Sequence, residues 1–299
     1  MHCVECFCVS SAVVARMISR FLYPLLVFLR IPGNAFSFWL RTTWRWSRGM
    51  PELEHEPKAD LFAYLHEGRP AAEQRAAELH DRYQLASLAH CSTAPLYRKN
   101  LYLLDVLEQA SAALALPMKA GGLIKALDVG AQDWYYVFAL ERWLHQVNHC
   151  PVFLKGLEVD GHARYSNLHT RREYALAYAA QTGNPHVVYE VGDFLRSREV
   201  GYNFVFLCYP LLIRYQVLLW GLPLRFFAPQ RFVDQAVTAL QPGGWLVCLF
   251  HNPREQAVAM ELVAAGGSCR LLREGQVRSD LVNFQGEANE NRFSIWQKC

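Results

Sequence analysis

The chain has 299 residues, 52% hydrophobic and 13% aromatic, with a formal net charge of +3, which excludes an intrinsically disordered protein and argues against a nucleic-acid partner. Its nine cysteines are an odd number at scattered positions, which argues against a disulfide framework and favours a reducing cytoplasmic compartment. A chain of this length buries one large core or two modest ones.

The first fifty residues are basic and aromatic. No acidic residue lies between Glu5 and Glu52, whereas arginine, tryptophan and phenylalanine recur there. The apolar run at residues 21–29 is too short to span a bilayer, which takes about 20 apolar residues. The composition suits a membrane-interface anchor, so residues 16–48 are expected to contact the inner face of the membrane. Packing on the globular body, or a true start further downstream, are the alternatives.

The extreme N-terminus carries a small group of metal-binding residue types. His2, Cys3, Cys6 and Cys8 resemble half of a zinc site. A structural zinc ion takes four ligands, usually as two separated pairs. We expect no metal site here and interpret the cysteines as unliganded terminal thiols, with reversible acylation as the less favoured alternative.

The next seventy residues predict a linker and a helical cap, residues 51–119. The polar stretch at 51–70 reads as a linker or surface loop, with one short helix at 60–66. Residues 71–90 are rich in Ala, Glu, Arg and Leu, which favours a helix. Apolar residues recur at near-helical spacing over 95–116, which predicts a second one. No strand is predicted near either helix.

From residue 123 short β-rich apolar runs alternate with helical stretches. Such alternation indicates βαβ units and a parallel sheet covered on both faces. Two final strands without a helix between them suggest an antiparallel finish. The predicted fold is α/β, a doubly wound and mostly parallel seven-stranded sheet with an antiparallel last strand, preceded by an α-helical N-terminal region. The predicted strands are 124–129, 153–159, 186–190, 203–208, 245–250, 269–273 and 292–297, and the predicted helices 134–146, 161–181, 230–240 and 254–265.

Four short motifs stand beside these strands, in chain order. They are residues 126–130 (ALDVG), 156–160 (GLEVD), 191–194 (VGDF) and 240–247 (LQPGGWLV). Together they resemble the motifs of the class I S-adenosylmethionine-dependent methyltransferases. The resemblance covers roughly residues 123–297 and implies that residues 120–299 form a methyltransferase-like domain that binds S-adenosylmethionine.

The resemblance also implies which residues contact the cofactor. Gly130 would allow close approach of the backbone, and Glu158 would accept hydrogen bonds from both ribose hydroxyls, with Asp160 as its substitute. Asp193 would accept a hydrogen bond from the adenine amino group, and Phe194 would lie against the ring. Asp128 would orient the first loop or the cofactor's amino group. The implied contacts are Asp128, Gly130, Gln132, Glu158, Asp160, Asp193 and Phe194.

One departure from the family pattern concerns the first loop. The family loop reads D-x-G-x-G-x-G, whereas Gln132 and Trp134 occupy its second and third glycine positions here. Either the loop is reshaped, with Gln132 donating to the methionine carboxylate, or cofactor binding has been lost. The first alternative predicts an enzyme, and the second a catalytically silent scaffold or interaction protein.

The segment after the fourth strand bears on the methyl acceptor. The family's N-P-P-Y-type motif is absent, and residues 210–227 are strongly apolar. This favours a hydrophobic small molecule or a lipid as acceptor, while packing on the N-terminal helices is the alternative. Methyl transfer depends chiefly on positioning, so no metal is expected. Tyr209 and His251 are the candidate general bases.

Overall fold

The computed structural model describes residues 28–65, 67–114, 122–282 and 290–299. His2, Cys3, Cys6 and Cys8, and residues 16–27 of the predicted anchor, lie outside them. The described residues divide into two compact units. The smaller contains residues 28–45 and 211–228, and the larger contains the described residues of 46–210 and 229–299. In the described part of the chain, no helix has the length and apolarity to cross a membrane.

The larger unit contains one seven-stranded sheet of order β3-β2-β1-β4-β5-β7-β6. Neighbours from β3 to β5 pair in parallel, and β7 runs antiparallel to both β5 and β6. The predicted fold class is therefore confirmed. The strands are β1 (Ile124–Val129), β2 (Val152–Glu158), β3 (Val187–Val191), β4 (Tyr202–Cys208), β5 (Leu240–Phe250), β6 (Cys269–Gln276) and β7 (Arg292–Lys298).

Helices connect most of these strands, as the doubly wound pattern requires. Because helices cover both faces, the central strands are buried almost throughout. Trp143 illustrates this packing, since its ring contacts Phe204 and Phe206 of β4 edge-on at centroid distances of 5.8 and 6.0 Å. The helices are α1 (residues 28–44), α2 (Arg69–Arg82), α3 (Ala86–His90), α4 (Ala94–Ser111), α5 (Val137–Asn148), α6 (Arg171–Gln181), α7 (Arg214–Leu219), α8 (Pro229–Ala239) and α9 (Pro253–Gly266).

Several helices differ in extent from the prediction. The single helix expected at 71–90 is two helices, with Gln84 at a left-handed φ of 52° between them. Residues 59–64 form turns rather than a short helix, and His66 lies outside the described residues. The helix expected from residue 161 begins ten residues later, where Thr170 and Glu173 form a capping box.

The helices before β1 share the core of the sheet. Apolar residues of α2 and α4 belong to the same hydrophobic cluster as those of β1, β4 and β5. Arg75 of α2 also joins α4, because its guanidinium pairs with Asp105 at 2.9 Å and Glu108 at 2.5 Å. The division of the chain into 1–50, 51–119 and 120–299 stays a prediction.

The smaller unit joins α1 to the apolar segment 211–228. Phe38 is buried, with Phe226 at a ring-centroid distance of 5.1 Å. The Asn34 amide donates to the carbonyls of Leu218 (2.9 Å) and Leu222 (3.2 Å), and Arg41 donates to the carbonyl of Gly221. The apolar segment therefore packs on an N-terminal helix, as the alternative interpretation of residues 210–227 expected.

Candidate functional site

The strand order reverses at β1, which has β2 on one side and β4 on the other. Since β1 to β5 are parallel, the loops that follow them leave from one edge of the sheet. In doubly wound sheets a ligand crevice forms at this edge, beside the reversal. The loops after β1, β2, β3, β4 and β5 are therefore the candidate site.

In the loop after β1, every second residue from Gly130 to Trp134 has a left-handed backbone conformation. Gly130, Gln132 and Trp134 have φ angles of 80°, 54° and 57°. This conformation costs a residue with a side chain roughly 1–2 kcal/mol. The backbone thus adopts glycine-favouring angles at both positions where the sequence departs from the family's glycines. Trp134 also delays α5, which begins at Val137 rather than at residue 134.

Glu158, at the end of β2, holds this loop. Its buried carboxylate accepts hydrogen bonds from the backbone N–H groups of Gln132 (2.9 Å) and Asp160 (2.7 Å). Burial raises the pKa of Glu158, and Arg171 and the two N–H groups oppose that shift. The hydroxyl of Tyr189 donates to the Gln132 carbonyl and gives the loop a second contact.

Asp128, at the end of β1, faces Trp134. The Trp134 indole is fully buried and donates to the Asp128 carboxylate at 2.8 Å. The same ring covers Gly156 of β2, where a Cβ would lie only 2.7 Å from it. Burial raises the pKa of Asp128 to about 7, although the nearby Tyr136 hydroxyl and the hydrogen bond from Trp134 act in the opposite direction. Asp128 thus orients the loop through Trp134.

The remaining implied contacts lie after β2 and β3. Asp160 is buried, with the Arg171 guanidinium 3.5 Å from its carboxylate. Asp193 accepts a hydrogen bond from the Leu195 N–H at 3.0 Å, and a quarter of its side chain is exposed. Phe194 is buried edge-on against Phe232 of α8 at 5.4 Å. Its ring is therefore covered by α8.

A cavity of about 200 Å³ lies at the ends of β1, β4 and β5. Tyr209 and His251 stack there, with ring centroids 4.0 Å apart and planes 12° apart. Burial lowers the pKa of His251 more than Glu255 raises it, which favours the neutral ring. Both candidate bases thus line one cavity. The other lining residues are Lys99, Tyr102, Leu103, Gln132, Tyr135, Tyr136, Cys208, Leu249, Val282 and Asn291.

Asn100 of α4 is a site neighbour that the sequence reasoning missed. It is fully buried, its amide donates to the carbonyls of Leu96 (3.0 Å) and Tyr135 (3.1 Å), and its oxygen accepts from the Ala139 N–H at 3.3 Å. The Asn100 side chain therefore satisfies one backbone N–H group in the first turn of α5. A polar residue on the apolar face of α4 was the available signal.

The structure contains no cluster of metal-ligand side chains in residues 28–65, 67–114, 122–282 and 290–299. No group of three or more His, Cys, Asp or Glu side chains there could hold an ion. His145 and His149, at the end of α5, have the H-x-x-x-H spacing of a ligand pair, but among the described residues no third ligand joins them.

No protein-family model and no curated protein matches this sequence. Solved structures do match. TrmN from Thermus thermophilus is 14% identical over 67% of this chain and 49% of its own, with a TM-score of 0.45. The N-methyltransferase NodS from Bradyrhizobium japonicum WM9, in complex with S-adenosyl-L-homocysteine, is 14% identical over 75% and 98%, with a TM-score of 0.40. The [4+2]-cyclase SpnF is 12% identical over 84% and 98%, with a TM-score of 0.47. The chain spans about half the length of TrmN.

Proposed function

We propose that this protein is a class I S-adenosylmethionine-dependent methyltransferase that acts on a small hydrophobic acceptor. The observation that carries the proposal is the position of the Glu158 carboxylate. Its buried carboxylate ends β2 directly beside the left-handed loop after β1, at the reversal of the strand order. Ligands of doubly wound sheets bind at this place.

The side chains at the strand ends fit the adenosine half of the cofactor. Each carboxylate oxygen has about two acceptor sites, so Glu158 keeps capacity for ribose hydroxyls beside its two N–H bonds. Asp193 remains partly exposed and can accept a hydrogen bond from the adenine amino group. Asp160 and Phe194 belong to the proposed site by their positions next to these two residues. Gly130 belongs to it because a Cβ there would meet open space.

The methionine half has different partners in this proposal. The Ala139 N–H, in the first turn of α5, already donates to the Asn100 side chain and so is occupied. A carboxylate is therefore better received by Lys99 and Gln132, which both line the cavity. Lys99 supplies the positive charge, and Gln132 supplies amide donors.

The cavity is the proposed acceptor site. When bound, the cofactor supplies an electrophilic methyl group on its sulfonium. A neutral ring nitrogen of His251 takes the proton that a hydroxyl or amine acceptor must lose, and Tyr209 fixes the imidazole plane by stacking on it. The cavity of about 200 Å³ with four tyrosines in its lining favours a small, largely apolar acceptor, or the reactive end of a lipid.

A specific observation favours the alternative, a catalytically silent scaffold. Gln132 and Trp134 replace two loop glycines, and both oxygens of Glu158 already accept backbone hydrogen bonds. Isothermal titration of the full chain with S-adenosylmethionine and S-adenosylhomocysteine separates the two functions. Micromolar binding of both supports the enzyme. No heat from either, with folded protein, supports the scaffold.

Cytoplasmic localisation, with peripheral membrane contact through residues 16–48, is part of this proposal. The exclusion of a nucleic-acid acceptor stays a prediction, because it rests on net charge alone. Incubation with methyl-labelled cofactor and fractions of RNA, lipid and small metabolites tests the acceptor class. Label in the RNA fraction would contradict the exclusion.

A further inference from the structure

The outward face of α1 is apolar and exposed. Along residues 28–45 the less exposed positions are 31, 34, 38, 40, 41 and 42, and most of the others are exposed. At a helical period of about 3.6 residues, the exposed Phe28, Phe36 and Trp39 share one side. Single exposed apolar residues are ordinary, whereas a continuous exposed face marks an interaction surface. The large exposed side chains of this face are Phe28 (70%), Leu29 (57%), Phe36 (63%), Trp39 (56%) and Trp44 (77%).

The opposite face of α1 holds the smaller unit together. Asn34 and Arg41 donate to backbone carbonyls of the segment 211–228, and Phe38 packs against Phe226. Arg225 also lies over the Phe38 ring, at 5.1 Å. The aromatic side chains on the outward face are therefore not needed for these internal contacts.

Segment 211–228 adds exposed apolar side chains to the same unit. Tyr215, Leu219 and Trp220, in and just after α7, remain 37%, 49% and 38% exposed. The sequence by itself predicts a membrane role only for residues 16–48. The structure therefore adds a second part of the chain, distant in sequence, to the candidate unit.

The charge of this unit is of one sign. Residues 28–45 and 211–228 contain no Asp, Glu or Lys. Their arginines are Arg30, Arg41, Arg45, Arg214 and Arg225. Tryptophan and phenylalanine with arginine suit the bilayer interface, because the rings lie at the acyl boundary and the guanidinium groups meet anionic headgroups. A positive, acid-free surface is complementary to a membrane of anionic lipid.

We propose that residues 28–45 and 211–228 form one membrane-docking unit, which places the outward face of α1 and the exposed residues of α7 on a bilayer that contains anionic phospholipid. The unit lies in the interface and does not span the bilayer. This inference stands independently of methyl transfer.

The test uses the full chain and co-sedimentation with vesicles. Vesicles of phosphatidylcholine alone are compared with vesicles that contain about one third phosphatidylglycerol. The wild type should bind the anionic vesicles at least tenfold more tightly, and added salt should weaken that binding because it screens the arginines. Equal binding to both kinds of vesicle, or none to either, would overturn the proposal.

A matched pair of variants locates the surface. The triple variant Trp39→Ser, Trp44→Ser and Trp220→Ser should lose at least tenfold in affinity for anionic vesicles. The control variant Leu123→Ser and Val200→Ser changes side chains that are 53% and 56% exposed in the larger unit, and should bind as the wild type does. Circular dichroism checks that both variants are folded. Binding retained by the triple variant would contradict the assignment.

Light scattering on the same proteins tests the alternative that a second copy of the chain, and not a membrane, covers this surface. If the wild type self-associates, fails to bind vesicles, and becomes monomeric in the triple variant, the surface belongs to a second copy of the chain. That result would overturn the membrane proposal. A monomeric wild type that binds vesicles supports it.

Discussion

The carboxylate of Glu158 accepts a hydrogen bond from the backbone N–H of Gln132, 2.9 Å away, and so joins the end of β2 to the loop after β1. The two residues are 26 positions apart in the chain. The loop is therefore held by a side chain from a neighbouring strand, at a place where the family pattern relies on glycine. This contact links the conformation of the loop to the proposed cofactor site.

Replacing Glu158 should weaken cofactor binding. The variant Glu158→Ala removes a charged acceptor, which is worth about 1.5–3 kcal/mol, so affinity for S-adenosylmethionine should fall by about 10- to 100-fold. Glu158→Gln keeps one acceptor oxygen, so its affinity for S-adenosylmethionine should lie between those of Glu158→Ala and the wild type. Calorimetry measures both, with Glu261→Ala on the exposed surface of α9 as the control. Unchanged affinity in a folded Glu158→Ala protein contradicts the assignment, and Asp160→Asn is then the variant to test.

The two loop residues at left-handed angles should respond to glycine in opposite ways. Gln132→Gly removes the conformational cost but gives the unfolded chain more freedom, so the free energy of unfolding should rise by zero to about 1 kcal/mol. Trp134→Gly empties a fully buried site and should lower it by about 3–5 kcal/mol. Urea unfolding measures both. A stable Trp134→Gly protein would show that the ring does not fill the space beside Gly156.

The buried Asp128 should make stability depend on pH. Its pKa is raised to about 7, mainly by burial, so the folded state binds a proton that the unfolded chain releases near its ordinary pKa of about 3.9. This contribution to stability is full below that value and is lost as pH rises to about 7, by up to about 4 kcal/mol. Asp128→Asn should lack this decline. Unfolding curves at several pH values compare the two proteins, and parallel profiles would contradict the prediction.

Glu173 should make the opposite contribution at acid pH. Burial raises its pKa, but donors from Ser47, Thr170, Arg48 and Gly49 outweigh burial and lower the pKa to about 2. The stabilisation is therefore present above the ordinary value of about 4.3 and is lost as pH falls towards 2. Glu173→Gln should cost on the order of 3 kcal/mol at neutral pH and little near pH 2.

Thermal unfolding at both pH values measures the effect of Glu173. The variant Ser47→Ala serves as the matched comparison, since it removes one neutral donor, at 2.7 Å, and should cost only about 0.5–1.5 kcal/mol. An equal loss in Glu173→Gln at both pH values would show that the carboxylate charge is not what stabilises residues 47–49.

The amino-acid sequence by itself determined the sheet and the places of the strand-end carboxylates. Apolar runs alternating with helical stretches define βαβ units, and parallel strands bring their carboxyl ends to one edge. Asp128 and Glu158 follow directly from this rule, because each is the last or next-to-last residue of its strand. Helix starts were harder to predict from the sequence. The left-handed Trp134 moves the start of α5 by three residues, and the capping box at Thr170 moves the start of α6 by ten.

Only the tertiary structure decided which side chains meet across the chain. Trp134 turns inward over Gly156, Phe194 packs against α8, and Asn100 caps the first turn of α5. Asn34 binds the carbonyl of Leu218, 184 residues away, which makes the apolar segment part of a unit with α1. Local patterns report which residues are buried or helical. They do not report partners, because a partner depends on which surfaces remain uncovered after the whole sheet has packed.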